Sequence, residues 1–253
     1  MFETSESLIN PVISYDYSYN RAGIQKNTIS DTLAKVREKV MPLRFKLAAK
    51  EISKALQLLP GDKVMELGSG LGLLGRAINE EVKGEINYYG IELAYNSAKA
   101  SGELGLIQSQ ASVVELPFAD NIFNALVTTD VLEHIKDSDR AMSEIFRVLK
   151  PGGKAFVVIA DPSEARFNKV HDHINRTRSK SNVKYWEDLF KKNGLIVLSE
   201  KSNKYRNSDW RKIFNLPFLV KLKEKPGFAC AVNPINRPGT YIIKKPANPS
   251  INS

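Results

Sequence analysis

The stretch Val64-Met65-Glu66-Leu67-Gly68-Ser69-Gly70-Leu71-Gly72 decides how this chain is read. Its first four residues are a short apolar run entered from the turn signal Leu59-Pro60-Gly61-Asp62, which reads as a strand. Glycines at alternate positions follow, and a helical pattern begins directly after them. A strand, a glycine loop and a helix in that order turn the backbone tightly and let a ligand approach it closely.

Outward from this loop, strands and helices alternate. The pattern predicts strands at 63–67, 87–92, 106–109, 125–129, 154–160, 195–200 and 239–244, with helices near 72–82, 95–103, 137–149 and 182–193. Lys150-Pro151-Gly152-Gly153 and Asn193-Gly194 read as the stops of the last two helices. Such alternation predicts an α/β fold, a Rossmann-like, mostly parallel sheet with helices on both faces. Apolar residues at helical spacing between Asp31 and Leu58 predict two further helices broken at Pro42, and polar residues 1–27 read as an arm leaning on the main domain. The expected organisation is 1–57 for the arm and helices over the cleft, 58–245 for the α/β domain and 246–253 for a disordered tail.

A chain of 253 residues can bury one full core, and no composition break demands a second. With 42% hydrophobic and 26% charged residues it resembles soluble globular proteins, and no apolar run approaches the ~20 residues of a membrane helix. The N-terminus carries acid where a secretory signal carries base, and the lone Cys230 suits a reducing compartment, so a cytoplasmic protein is expected. The formal charge of +9 comes from residues 166–225, which read as a solvated Lys-rich surface or, alternatively, as a polyanion site.

The loop's chemistry is set by its acids. A dinucleotide fingerprint needs a glycine where Leu73 stands, a Walker loop needs a Gly-Lys-Ser/Thr ending, and the carboxylate of Glu66 repels a pyrophosphate. That acid suits a ligand with positive charge, such as an amino-acid ammonium, held directly or through water. Glu92 ends the next strand about 20 residues beyond the last glycine, where such folds bind ribose hydroxyls. The implied ligand is a nucleoside with a cationic tail and no phosphate.

Five segments in order resemble the class I S-adenosylmethionine-dependent methyltransferases, especially the small-molecule group that includes the ubiquinone and menaquinone methyltransferases. They are the glycine motif, Gly90-Ile91-Glu92-Leu93, Glu115-Leu116-Pro117-Phe118-Ala119-Asp120-Asn121-Ile122-Phe123-Asn124, Asp130-Val131-Leu132-Glu133-His134, and Arg147-Val148-Leu149-Lys150-Pro151-Gly152-Gly153. The resemblance implies a seven-stranded sheet whose last strand is antiparallel, with S-adenosylmethionine lying across the carboxyl ends of the first strands. It implies that Gly68 and Gly70 pass beneath the methionine part and ribose, that Glu92 binds the ribose hydroxyls and that Leu93 touches the adenine. Glu66, Ser69, Gly72, Ser112, Val113 and Asp130 complete the implied cofactor set. Two positions depart from the family: Ser112 stands where an aspartate often meets the adenine amino group, and Phe123-Asn124 replaces the usual Phe-Asp. A serine hydroxyl can still accept that hydrogen bond, at a cost of ~1 kcal/mol relative to a charged partner.

A sulfonium carries an already activated methyl, so the protein has mainly to align a nucleophile and, where needed, remove its proton. The residues expected nearest the reaction centre follow the fourth strand, Asp130, Glu133 and His134, the histidine as general base or, alternatively, as an ordinary helix-start residue with Asp130 as N-cap. His171-Asp172-His173 lacks a convincingly spaced third ligand and reads as a solvated linker, so no metal is expected. Cys230 lacks the Pro-Cys context of covalent cytosine methylation and reads as a packing residue. Residues 201–237, with Tyr205, Trp210, Phe214, Phe218 and Phe228 among lysines and arginines, read as an insertion that covers the cleft and chooses the substrate or, alternatively, as a surface for stacked nucleic-acid bases or an insertion with its own apolar core and its bases outside. The rival readings are an RNA or protein methyltransferase that uses the basic region, and a binding module that has lost methyl transfer.

Overall fold

The computed structural model describes residues 45–83, 85–103, 107–159, 183–200 and 239–247. The arm, the helix expected before Pro42, His171-Asp172-His173, the basic stretch apart from 183–200, the insertion 201–237 with Trp210 and Cys230, and most of the tail lie outside the described residues.

The elements follow the expected alternation. Helix α1 covers 45–56. After it come β1 (Lys63–Leu67), α2 (Leu73–Glu81), β2 (Asn87–Glu92), α3 (Tyr95–Glu103), β3 (Ile107–Gln110) and β4 (Phe123–Thr129), then a 3-10 turn (Leu132–His134). The remainder is α4 (Ser138–Val148), β5 (Leu149–Val158), α5 (Val183–Lys192), β6 (Ile196–Glu200) and β7 (Thr240–Lys244). The strands form one seven-stranded sheet in the order β3-β2-β1-β4-β5-β7-β6. β7 runs antiparallel to both β5 and β6, and the pairings from β3 through β5 are parallel. Among the described residues no helix is long and apolar enough to cross a membrane.

The central strands are buried on both faces, so they read as apolar runs and successive side chains go to opposite layers. Met65, Leu67, Leu126, Val157, Tyr241 and Ile243 join Ala141, Ile145, Trp186 and Phe190 of α4 and α5 in one core. Val64, Val127, Phe156 and Ile242 join Ile52, Leu74 and Ile78 of α1 and α2 in the other. Cap chemistry sets the helix ends. Asp137 Oδ1 accepts from the Arg140 amide at 3.0 Å to start α4. α5 stops where Gly194 turns left-handed (φ 77°), with Leu195 N–H bonded to Phe190 O and Gly194 N–H to Lys191 O.

Pro151-Gly152-Gly153 is the point of difference. Expected to be the loop after α4, it lies within β5, because Leu149 already pairs with Phe123 and the extra residues are taken up as an irregularity before Ala125 meets Lys154. Gly152, at φ 82°, donates its amide to Lys245 O beyond the end of β7, so the excursion is hydrogen-bonded.

Arg147 fastens the long connection from β3 to β4. Its guanidinium donates to the carbonyls of Leu116 and Phe118 and to Asp120, and pairs with Glu144, whose Oε2 accepts from the Leu116 amide at 2.7 Å. Arg147, first by its hydrogen bond, holds the Glu144 carboxyl below the usual carboxylate range. A depressed folded-state value means a stabilisation present above the unfolded value, ~4.3, and lost as pH falls through the folded one. Glu144→Gln is therefore expected to destabilise the fold by roughly 2 kcal/mol near neutrality, with the gap to wild type closing in acid; urea melts at several pH values measure it.

Candidate functional site

The carboxyl ends of β1, β2 and β4 meet where the strand order reverses, with β2 and β3 on one side of β1 and β4 and β5 on the other. Loops leaving adjacent strands toward opposite faces at such a point open a crevice. Here the loop from β1 leads to α2 on one face and that from β4 leads to α4 on the other.

Gly68, Gly70 and Gly72 all have positive φ, at 70°, 52° and 72°. The amides of Gly68 and Ser69 both bond to Ile91 O, at 2.7 and 3.0 Å, which lays the loop onto β2. Gly68 also gives up space to the other wall: a Cβ there would lie 2.2 Å from Val131 Cγ2. Gly72 is the left-handed N-cap of α2 and has no side chain to cap it.

Glu92 is buried, and both its oxygens are placed. Oε2 accepts from the Gly70 amide at 2.8 Å and Oε1 from the Ala94 amide at 2.9 Å. Each oxygen keeps a further lone pair for an incoming hydroxyl. Leu93, next in the chain, is 36% exposed, an apolar surface beside that carboxylate. Gln110 donates to the Leu93 carbonyl at 3.1 Å. Ser112 and Val113 follow β3; the serine bridges to Glu115 and Val113 is buried in the core.

Glu66 is paired in register with Gly90, two residues before Glu92. It is buried, and its carboxylate takes the Tyr88 hydroxyl and the Gly75 amide. Burial first, and the Glu92 charge second, push its pKa well above the ordinary value. A direct contact to a ligand ammonium must therefore compete with partners it already has. Tyr88 and Gly75 were not foreseen from sequence. They meet because Gly75 lacks a side chain: a Cβ there would fall 2.1 Å from the tyrosine ring.

On the β4 side, Asp130 has φ 59° and bonds through its amide to Val158 O at 3.0 Å. The expected N-cap role of Asp130 is corrected: the N-cap of the 3-10 turn is Val131, and no side chain caps it. His134 ends that turn, half-buried, with its amide on Val131 O. The departure at Asn124 sits far from this crevice, where its Oδ1 accepts from the Lys63 amide at the start of β1 and from Lys150 Nζ. Among the described residues no group of three or more histidines, cysteines or acids is placed to hold a metal ion.

Comparison with known proteins places this architecture. Residues 65–157 match the family model described as a methyltransferase domain. A ubiquinone/menaquinone biosynthesis C-methyltransferase UbiE from Vibrio cholerae is 32% identical over 122 residues, 45% of this chain and 47% of that protein. The UbiE of Haemophilus ducreyi is 34% identical over 181 residues, 66% of this chain and 64% of that one. The chain thus spans about half the length of most of these curated relatives. In fold it is similar to the methyltransferase of a Haloferax volcanii complex with the Trm112 methyltransferase activator, with a TM-score of 0.63 at 20% identity over 86% of this chain and 96% of that one. It is also similar to Haemonchus contortus phosphoethanolamine N-methyltransferase 2 with S-adenosylhomocysteine, at 0.54 and 18% over 79% and 52% of the two chains.

The elevated Glu66 value has a measurable sign. A carboxyl whose folded pKa is raised stabilises the fold fully below its unfolded value, and that contribution is lost as pH rises through the folded one. Ligand-free wild type is expected to lose stability from above pH ~4.3 upward, whereas Glu66→Gln, which keeps an acceptor for Tyr88, should lack this loss; thermal melts from pH 4 to 9 compare the two.

Proposed function

We propose that this chain, whose residues 65–157 form a methyltransferase domain of the class I type, transfers a methyl group from S-adenosylmethionine to a small-molecule acceptor. The observation that carries the reading is Glu92, a buried carboxylate at the end of β2 whose two oxygens are aimed by the Gly70 and Ala94 amides beside a glycine loop. Such an acid suits paired ribose hydroxyls and repels phosphate. The choice of a small acceptor is supported by the UbiE relatives, whose names give C-methylation in quinone biosynthesis.

When bound, S-adenosylmethionine supplies a methyl on a positively charged sulfur, a leaving group that needs no further activation. The chain's residues bind and orient. Gly68 and Gly70 keep the loop free of side chains where the methionine part and ribose would pass, with Ser69 and Gly72 completing the turn. Glu92 would hold the ribose hydroxyls, Leu93 would cover one face of the adenine, and Ser112 and Val113 would border its edge. Glu66 would bias the site toward a cationic tail through its field or a water. Asp130 and His134, on the opposite wall, would face the acceptor, with His134 able to take a proton from it.

Calorimetry tests the reading. S-adenosylmethionine and S-adenosylhomocysteine should bind with micromolar dissociation constants, about −8 kcal/mol, and NAD should not bind. Glu92→Ala should weaken binding roughly 30-fold, about 2 kcal/mol, and Gly70→Val should abolish it because a β-branched residue is strained at that positive φ. Tight NAD binding, or a Glu92→Ala variant with wild-type affinity, would show the assignment to be wrong. His134→Ala should lower turnover while leaving cofactor affinity unchanged; mass spectrometry of products from a panel of acceptors supplies the substrate for that assay.

A further inference from the structure

The register of β1, β2 and β3 aligns Glu66 with Gly90 and Gly90 with Gln108, so the three positions share one face of the sheet. The middle position has no side chain, and Gln108 uses the space: a Cβ on Gly90 would lie 2.0–2.4 Å from the Gln108 carboxamide. Stretched over Gly90, Gln108 Oε1 accepts a 2.7 Å hydrogen bond from Ser69 Oγ. Ser69 sits in the glycine loop between Gly68, bonded to Ile91, and Gly70, bonded to Glu92. The other end of the amide, Nε2, is buried without a hydrogen-bond partner among the described residues. An apolar side chain of the same length would avoid the cost of that unpaired donor.

We propose that Gln108 is a positioning residue of the cofactor site: it reaches across Gly90 to hold Ser69, and through Ser69 holds the glycine loop in the shape that receives the nucleoside of S-adenosylmethionine. The inference rests on the proposed function above. Gln108 need not touch the ligand. It removes conformational freedom from a loop whose glycines leave it soft, so the ligand does not have to order it on binding. A structural glutamine would have the opposite signature, since replacing it would cost stability first.

The test is calorimetry with S-adenosylhomocysteine beside thermal melts on the full chain. Gln108→Met should bind about tenfold more weakly, with a Tm equal to or above that of wild type. Gly90 lies outside the left-handed region, so Gly90→Ala is tolerated by the backbone while its methyl displaces the carboxamide. It should weaken binding to a similar degree in the wild-type background and add nothing in a Gln108→Ala background. Should Gln108→Met fail to fold, that cycle decides. Wild-type affinity in Gln108→Met, a Tm loss that accounts for the affinity loss, or full additivity of Gly90→Ala with Gln108→Ala each overturns the proposal alone. A wild-type protein that does not bind S-adenosylhomocysteine overturns the functional reading, and this inference with it.

Discussion

The meeting of the loops after β1 and β4 depends on Val131 filling the space that a side chain at Gly68 would need. The loop after β1 and the loop after β4 leave neighbouring strands for opposite faces of the sheet, and a floor has to be built between them. Gly68 supplies it by having no Cβ, so that the Val131 side chain closes against its backbone. Its amide, with that of Ser69, is at the same time tied to Ile91 O on β2. One residue therefore joins three strand ends. Any side chain there must push apart the two walls that carry the candidate cofactor residues on one side and Asp130 and His134 on the other.

Two buried glutamates separated by one strand register have different characters because their surroundings differ. Glu92 takes two backbone amides, each a fixed dipole, and serves as a prepared acceptor. Glu66 is buried too and feels the Glu92 charge, so its pKa is pushed well above the ordinary value. Positive charge brought near the pair would relieve both the burial cost and the repulsion. A phosphate would worsen both. In the proposed reading, preference for a cationic, phosphate-free tail would belong to the pair and to its burial more than to a single contact.

The order of elements was legible in the sequence because apolar period and glycine punctuation agree from β1 to β7. The helix over Tyr95–Glu103 lies where its pattern predicts, and Asn193-Gly194 stops α5 as its turn chemistry requires. Lys150-Pro151-Gly152-Gly153 was misread, since a Pro-Gly pair is ordinarily a loop signal and only the partner strand shows that β5 begins at Leu149. Of the site, Glu92 and the glycines could be read locally because their spacing to a strand end is itself the signal. Tyr88 and Gln108 could not. Their relation to Glu66 and Ser69 exists only across strands, through a register that one chain's own periodicity does not reveal.

What that register reveals is a recurrent use of missing side chains. Gly68 receives Val131, Gly75 receives the Tyr88 ring, and Gly90 receives the Gln108 carboxamide. The first exchange is apolar and builds the floor. The other two bring polar groups from β2 and β3 to Glu66 and Ser69, respectively. A larger residue at Gly75 or Gly90 would leave the strands paired, because the backbone ladder does not involve the side chain, yet would expel the group that orients the acid or the loop. The sheet is thus separable from the candidate site: strand pairing and the two cores hold the fold, while the missing side chains at these glycines place Tyr88 against Glu66 and Gln108 against Ser69.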